Sequence, residues 1–299
     1  MQSSPLVHIF IFSFNRGPWL KNCVESVFDC FKFPFVLTVV DDASDEYFTR
    51  KILSELSSEV DVRIREEKKA RLGGLYENMQ FALYNCCGQG IFFLQDDMQI
   101  VREVAESEIS EILDISNCTV CSPFIHPCFL KGRNKERDEG TVFADRNGGR
   151  FYTRGSAGQG QGVYYSDVSL CSVDRLQSCK WLFRSSEEKN EVIASEYFSE
   201  MIYWGDPFAM WLPQPTTYRY KKDLSGARRG RSADSRVFRY RYMNSREVDE
   251  FKVRSIDKLP FAEDYLDTEQ EVEIPWVFNA ISETWFQKKA RKFLEFWDK

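Results

Sequence analysis

Through its first third the chain alternates short apolar runs with segments of helical periodicity, and no other feature constrains the fold as much. Val7 to Phe14 is apolar apart from His8 and Ser13, and Phe35 to Val40 and Ile91 to Leu94 are nearly or wholly so. Such runs read as strands buried on both faces, whereas Val60 to Ile64, which alternates apolar with charged residues, belongs nearer an edge. Between them, Leu20, Val24, Val27, Phe28 and Phe31 recur at helical spacing after Pro18, and Ile52, Leu53 and Leu56 share a face within Phe48 to Leu56. A further helix follows Gly73-Gly74, from about Leu75 to Tyr84. The alternation predicts an α/β fold with a mainly parallel sheet flanked by helices.

Two of these strands end in paired acids. Val39-Val40 runs into Asp41-Asp42, and Phe93-Leu94 runs into Gln95-Asp96-Asp97. An unpaired carboxylate is costly in low dielectric, so each needs water, a cation or a hydrogen-bond donor. In open α/β sheets ligands bind outside the carboxyl ends of the strands, which places Phe14-Asn15-Arg16, Asp41-Asp42 and Gln95-Asp96-Asp97 along one rim. Singly, Asp41-Asp42 also fits a turn into the next helix, and Asp96-Asp97 fits a solvated helix start. Two such junctions on one rim favour a ligand cleft.

Beyond Val101 the pattern predicts a helix over Glu103 to Ile115, a strand over Cys118 to Phe124 and a long polar loop over Lys131 to Gly149. The glycine-rich Gly155 to Gly162 (GSAGQGQG) reads as a loop that closes over substrate, being too far from the first strand for a dinucleotide fingerprint. Val163 to Val173 reads as a strand feeding a helix that carries Leu176, Glu188 to Tyr203 as another helix, and Phe208 to Leu212 as a last short strand. After Tyr218 the texture changes. Arg228, Arg229, Arg231, Arg236, Arg239 and Arg241 crowd a segment of little periodicity, suited to an anion, a membrane surface or plain solvation. Asn279 to Trp297 reads as a basic amphipathic helix that packs on the body, on a second subunit as a homodimer, or on lipid.

Bulk composition narrows the class. A formal net charge of −6 argues against a dedicated nucleic-acid binder. The 9 cysteines lack small-scaffold spacing and fit a reduced compartment. Cys118, Cys121, His126 and Cys128 have the look of a zinc set, but they also read as a core strand with its cysteines on opposite faces. The first apolar run breaks at Asn15-Arg16, too soon for a signal peptide or a membrane span. A cytoplasmic protein is expected, with peripheral contact at the inner face of a membrane as an option.

The series FSFNR, VVDDAS, LGGLYENMQFAL and GIFFLQDDM resembles the nucleotide-sugar-binding half of family 2-type glycosyltransferases of the GT-A fold. The resemblance covers Val7 to Val101 well, is weaker from Val163 to about Tyr218, and is absent from the C-terminal part. It implies transfer of a sugar, hexosyltransferase-like, from a nucleoside-diphosphate donor to a hydroxyl of a carbohydrate or glycolipid acceptor, as in polysaccharide biosynthesis. It implies a donor site at Phe14, Asn15, Arg16, Asp41, Asp42, Gly74, Asn78 and Asp96, and a divalent cation, Mn²⁺ or Mg²⁺, at Asp97. The family's first acid is replaced here by Gln95, and a histidine that often adds a metal ligand is missing where Tyr218 and Arg219 stand, which weakens the cation's ligand set. Glu196 is the position the resemblance gives to the base of an inverting displacement, with Glu191 and Glu200 close enough to compete. Domains implied are a body over residues 1–217 (1–101 for the donor, 102–217 for the acceptor) and a basic extension over 218–299.

Two other functions fit parts of the pattern. A nucleotidyltransferase also gathers acids and a cation at a parallel-sheet rim, but its first loop is normally rich in glycine and basic residues, and Asn15-Arg16-Gly17-Pro18 is poor in them. A non-catalytic sugar- or nucleotide-binding module would explain the neutral Gln95.

Overall fold

The computed structural model describes residues 4–65, 74–118, 122–145, 148–155, 162–213 and 237–278. Four strands make the parallel half of the sheet: β1 (Val7–Ser13), β2 (Val36–Asp41), β3 (Asp61–Ile64) and β4 (Gly90–Gln95). They lie in the order β3-β2-β1-β4, with the alternating β3 at the edge as its pattern requires. Helices α1 (Gly17–Cys30), α2 (Tyr47–Leu56) and α3 (Leu75–Asn85) make the crossovers. Side chains alternate across the sheet. Val7, Ile9 and Ile11 of β1 join Phe92 and Leu94 of β4 in one core, together with Leu20, Val24 and Val27 of α1. Phe10, Phe12, Ile91 and Phe93 face the other way, onto Met79, Ala82 and Leu83 of α3. Gly17 lets α1 meet α2, because a Cβ there would lie 2.7 Å from Thr49 Cα.

After β4 the chain makes β5 (Met98–Ile100) and α4 (Glu106–Asn117), then β6 (Ile125–His126), α5 (Lys135–Thr141), β7 (Val142–Ala144) and β8 (Phe151–Arg154). It continues through β9 (Ser169–Ser172), α6 (Val173–Ser178), α7 (Glu187–Tyr197), β10 (Ile202–Trp204) and β11 (Ala209–Trp211). The nine-stranded sheet runs β3-β2-β1-β4-β9-β6-β10-β8-β7. The core is mainly parallel, as the pattern predicted, and β9 enters antiparallel to β4, so the second half adds antiparallel strands. β5 and β11 form a separate antiparallel pair.

Three expected elements differ. Cys118 caps α4 instead of opening a strand, and the strand is the short β6 beyond Pro123. The polar run 131–149 holds α5 and β7, because a charged surface helix and a three-residue strand carry little apolar signal. The helix placed over Glu188 to Tyr203 stops at Tyr197, and its last apolar residues are β10. Expectations for Cys121, the glycine-rich loop (156–161), Tyr218 and Arg219, Arg228 to Arg236 and the helix over 279–297 lie outside the described residues.

Residues 237–278 fold back on the body. Helix α8 (Ser245–Lys252) starts with Asn244 accepting from Glu247 N, and Tyr240, Phe251, Leu266, Trp276 and Phe278 build a third core on Trp19, Val101, Phe129, Met210 and Leu212. Asp206 anchors this return. Its buried carboxylate receives Arg150 Nε at 2.5 Å and Arg254 Nη1 at 2.7 Å, while Arg254 also donates to the Gly205 carbonyl. The described cysteines are free, and no described helix is long and apolar enough to cross a membrane.

Removing one member of a buried ion pair strands the others. Asp206→Ala leaves two guanidinium groups without their carboxylate, and we expect it to lower unfolding stability by about 3 kcal/mol in urea titrations. A loss below 1 kcal/mol would mean that this junction does not hold the return segment.

Candidate functional site

The site lies where β1, β2 and β4 end. Ser13 pairs with Asp41 and Phe12 with Gln95, so the two acidic tips flank the end of one central strand. Backbone hydrogen bonds carry the pairing one residue further, from Asp42 N to Ser13 O at 2.9 Å and from Asp96 N to Phe12 O at 3.0 Å. Adjacent strands stand about 4.8 Å apart, so the tips of β2 and β4 are about 10 Å apart across β1.

Arg16 joins the rim. Its Nη1 lies 2.9 Å from Asp96 Oδ1 and 2.7 Å from Asp97 Oδ2. Asp96 also accepts from Phe14 N at 3.1 Å. Burial pushes the Asp96 carboxyl above its usual range; the Arg16 charge opposes this and that of Asp97 adds to it. Asp97 Oδ1 is buried and has no hydrogen-bond partner among the described residues.

Asp41 and Asp42 diverge in role. Asp41 is fully buried and closes its own turn, accepting from Ser44 N at 2.7 Å and from Ser44 Oγ at 2.5 Å. Asp42 is half-buried and accepts from Gly74 N at 2.8 Å, at the start of α3. A Cβ on Gly74 would meet Asp42 Oδ1 at 2.6 Å, so a side chain there would push the Asp42 carboxylate out of its present place. Asn78, buried one turn on, donates its backbone N–H to Gly74 O. Asn15 sits in the left-handed region at φ 52°, and its side chain bonds Asp45 and Glu46 N, fixing the entry into α2. Ala43 has φ 54°, an uncommon conformation for a residue with a Cβ, at a turn beside the same cleft.

A second group of side chains, without a local sequence signal, gathers near this rim. Tyr76 of α3 donates its hydroxyl to Asp167 Oδ2 at 3.0 Å and also meets the backbone of Glu187, in the first turn of α7. Lys131 stacks its ammonium 3.8 Å from the centre of the Trp211 ring and feels the charges of both Asp97 and Glu187. Glu196 projects, exposed, from the last turn of α7. Nine residues separate Glu187 from Glu196, which puts them on opposite sides of the helix and about 13 Å apart along it. Glu191 is committed to the backbone, accepting from the N–H groups of Val163, Tyr164 and Tyr165. Lys131 and Glu187 carry no local signal, since their neighbours come from distant parts of the chain.

The zinc set does not assemble among the described residues: Cys118 is exposed, Cys128 lies in the core, and His126 Nδ1 meets Val168 O at 2.9 Å.

A mixed α/β sheet with its acids on the carboxyl rim, flanked by helices, defines a GT-A-like body. Residues 8–174 of the 299 match the model of glycosyl transferase family 2, and the chain belongs to that family. No curated protein matches it. Among solved structures it is similar to residues 1–349 of TarS from S. aureus, with TM-score 0.48, 14% identity, and coverage of 68% of this chain and 59% of that one. It is also similar to the mannosyltransferase PcManGT from Pyrobaculum calidifontis in complex with GDP-Man and Mn²⁺ (0.44, 12%, 69% and 58%). A third is GalNAc-T7 with UDP, GalNAc and Mn²⁺ (0.45, 14%, 69% and 43%). The chain thus spans less than two thirds of each of these.

Arg16→Met removes the counter-ion of two buried carboxylates, and we expect a stability loss of about 3 kcal/mol at pH 8. Without Arg16 the folded-state pKa of Asp96 stands further above its unfolded value, so the native state binds more protons and stability falls as pH rises between the two. The loss should therefore be smaller at pH 5 than at pH 8. Equal losses at both would mean that Arg16 does not neutralise Asp96.

Proposed function

We propose that the chain transfers a sugar from a nucleoside-diphosphate donor to a hydroxyl of a carbohydrate or glycolipid acceptor, inverting the anomeric centre. The supporting observation is the shared rim at the ends of β1, β2 and β4, where Arg16 pairs with Asp96 and Asp97 and Asp42 accepts from Gly74 N, in a chain of this family. In this reading residues 1–217 are the catalytic body and 218–299 the extension. Asp42, Gly74 and Asn78 flank the nucleoside, with Phe14, Asn15, Arg16, Asp41 and Asp96 shaping the floor beneath it.

Asp97 fits a divalent cation. Its orphaned Oδ1 is a hard oxygen donor, suited to Mg²⁺ or Mn²⁺ that binds through one carboxylate with phosphate and water completing the shell. Such a cation supplies positive charge that offsets the charge gained by the departing nucleoside diphosphate. With Gln95 neutral and Arg16 already on Asp97 Oδ2, one carboxylate oxygen is what this tip offers.

The acceptor hydroxyl must lose its proton as it attacks. Of the carboxylates on α7 we assign this to Glu187, ahead of Glu196, because the Glu187 charge acts on Lys131 together with that of Asp97 and its backbone meets the Tyr76 hydroxyl, whereas Glu196 stands exposed at the far end of the helix. The anomeric C–O bond to phosphate breaks as the C–O bond to the acceptor forms, and the hydroxyl proton passes to the Glu187 carboxylate. A base on the face opposite the leaving group gives inversion.

A thermal-shift screen of UDP-, GDP-, dTDP- and CMP-sugars with and without Mn²⁺ tests the donor; no shift with any of them would refute the reading. Asp97→Ala should abolish any Mn²⁺-dependent part of the shift, and an unchanged shift would remove Asp97 as the cation's ligand. With the donor so identified, Glu187→Gln should lower kcat by about 10²- to 10⁴-fold with donor affinity kept, while Glu196→Gln stays near wild type. The reverse order would return the base to Glu196.

A further inference from the structure

Lys131 stands out among the described cations near the rim. Among the described residues, the buried Arg102 and Arg154 and the largely buried Arg254 and Arg16 each have a carboxylate partner: Glu108, Asp138, Asp206, and Asp96 with Asp97. Lys131 is partly buried and, among the described residues, forms no ion pair and no side-chain hydrogen bond. Its ammonium rests on the Trp211 ring at 3.8 Å, with the Phe278 ring 5.1 Å away. Aromatic faces hold a cation without neutralising it, which leaves its N–H groups for an anion.

Its place is set by backbone. Cys128 bridges to Ala209, Phe129 N donates to Ala209 O at 3.1 Å, and Leu130 N donates to Pro260 O at 2.9 Å. Past it, Gly132 N donates to Glu263 Oε2 at 2.7 Å. Trp211 pairs with Met98, the residue after Asp97, and Leu212 N donates to Asp97 O at 2.8 Å. The indole under Lys131 is therefore tied to the same tip that carries Asp97. Burial lowers the Lys131 pKa, and the charges of Asp97 and Glu187 work to keep it protonated.

We propose that Lys131 grips the donor's diphosphate, donating hydrogen bonds to the phosphate oxygens that leave with the nucleoside. This rests on the sugar-transfer reading. Arg16 cannot supply the same charge freely, since its Nη1 is shared between Asp96 and Asp97. When the glycosidic C–O bond breaks, its electron pair stays on the phosphate oxygen facing Lys131, and the ammonium keeps its proton throughout. Trp211 and Phe278 act as positioning residues that hold the ammonium at the rim.

Calorimetric titration of the full chain with UDP, GDP, dTDP and CDP, with the matching nucleosides and with inorganic pyrophosphate, tests this. For whichever diphosphate binds, Lys131→Met should weaken it about 10- to 100-fold and leave the nucleoside unchanged, the loss characteristic of one charge-assisted hydrogen bond. Pyrophosphate inhibition of that binding should weaken in parallel. Lys131→Arg keeps charge and ring contact and should restore most of the affinity, and Lys131→Gln is the second neutral variant should Met disturb folding. Unchanged diphosphate binding in the neutral variants, or an equal loss for nucleoside and diphosphate, overturns the Lys131 assignment and leaves the sugar-transfer reading intact. Full diphosphate binding with lost turnover also overturns it, moving the lysine to the acceptor side. Wild-type protein that binds none of the four diphosphates defeats both.

Discussion

The parallel register of β1 between β2 and β4 is the constraint on which the site depends. Because Ser13 faces Asp41 and Phe12 faces Gln95, the chain leaves three neighbouring strands at the same level of the sheet. A slip of one residue would turn the apolar side chains of β1 to the wrong faces, so both cores enforce this register. The acids thus reach the rim as a consequence of packing far from it. Arg16 then ties the end of β1 to the end of β4 with a buried charge pair, and Gly17 starts α1 against Thr49 immediately afterwards. Strand, bridge and helix are consecutive in sequence, so the cleft's floor is built locally once the sheet has formed.

That locality explains what could be read from the residues alone. The parallel half, the edge position of β3, the helices between the strands and the shared rim all follow from period and order within short windows. The second half was harder because its elements are short and pair out of order. β6 and β10 are two and three residues long, and β8 and β7 join them antiparallel from the far side. The exposed α5 carries charge without an apolar stripe, so a helix there looks like a loop. In the site, Asp96 and Asp97 announce themselves at a strand tip, while Lys131 acquires meaning only through Trp211 and Glu187. No property of residues 128–134 in isolation distinguishes Lys131 from a solvated lysine.

The return segment bears on the site through the same contacts. Tyr240 takes Gln99 into two hydrogen bonds, one from Gln99 Nε2 to Tyr240 O and one from Tyr240 N to Gln99 Oε1, and its hydroxyl donates to Trp211 O. β5 and β11, which carry Gln99 and Trp211, are therefore clamped from outside the family's matched region. Phe278 lies near the Lys131 ammonium from this same segment. Residues 237–278 thus pack on the elements that carry Gln99, Trp211 and Lys131 in addition to covering apolar surface.

Charge at the rim gives a physical reason for the neutral Gln95. Asp96 and Asp97 are both buried beside a single guanidinium, and burial already pushes Asp96 toward protonation. A third carboxylate at position 95 would add repulsion without adding a cation, and would raise Asp96 further. An amide there keeps the strand polar at its tip while holding the local charge near balance, with Arg16 and Lys131 facing Asp96 and Asp97. Arg16 already takes one oxygen of each of these carboxylates, so this tip by itself offers a divalent ion few free oxygen donors. On the proposed reading, the donor's phosphates would bring to Lys131 both negative charge and the oxygen donors that this tip lacks. Cation and diphosphate would then bind cooperatively, each reducing the electrostatic cost of the other, and the affinity for either alone would be the weaker quantity.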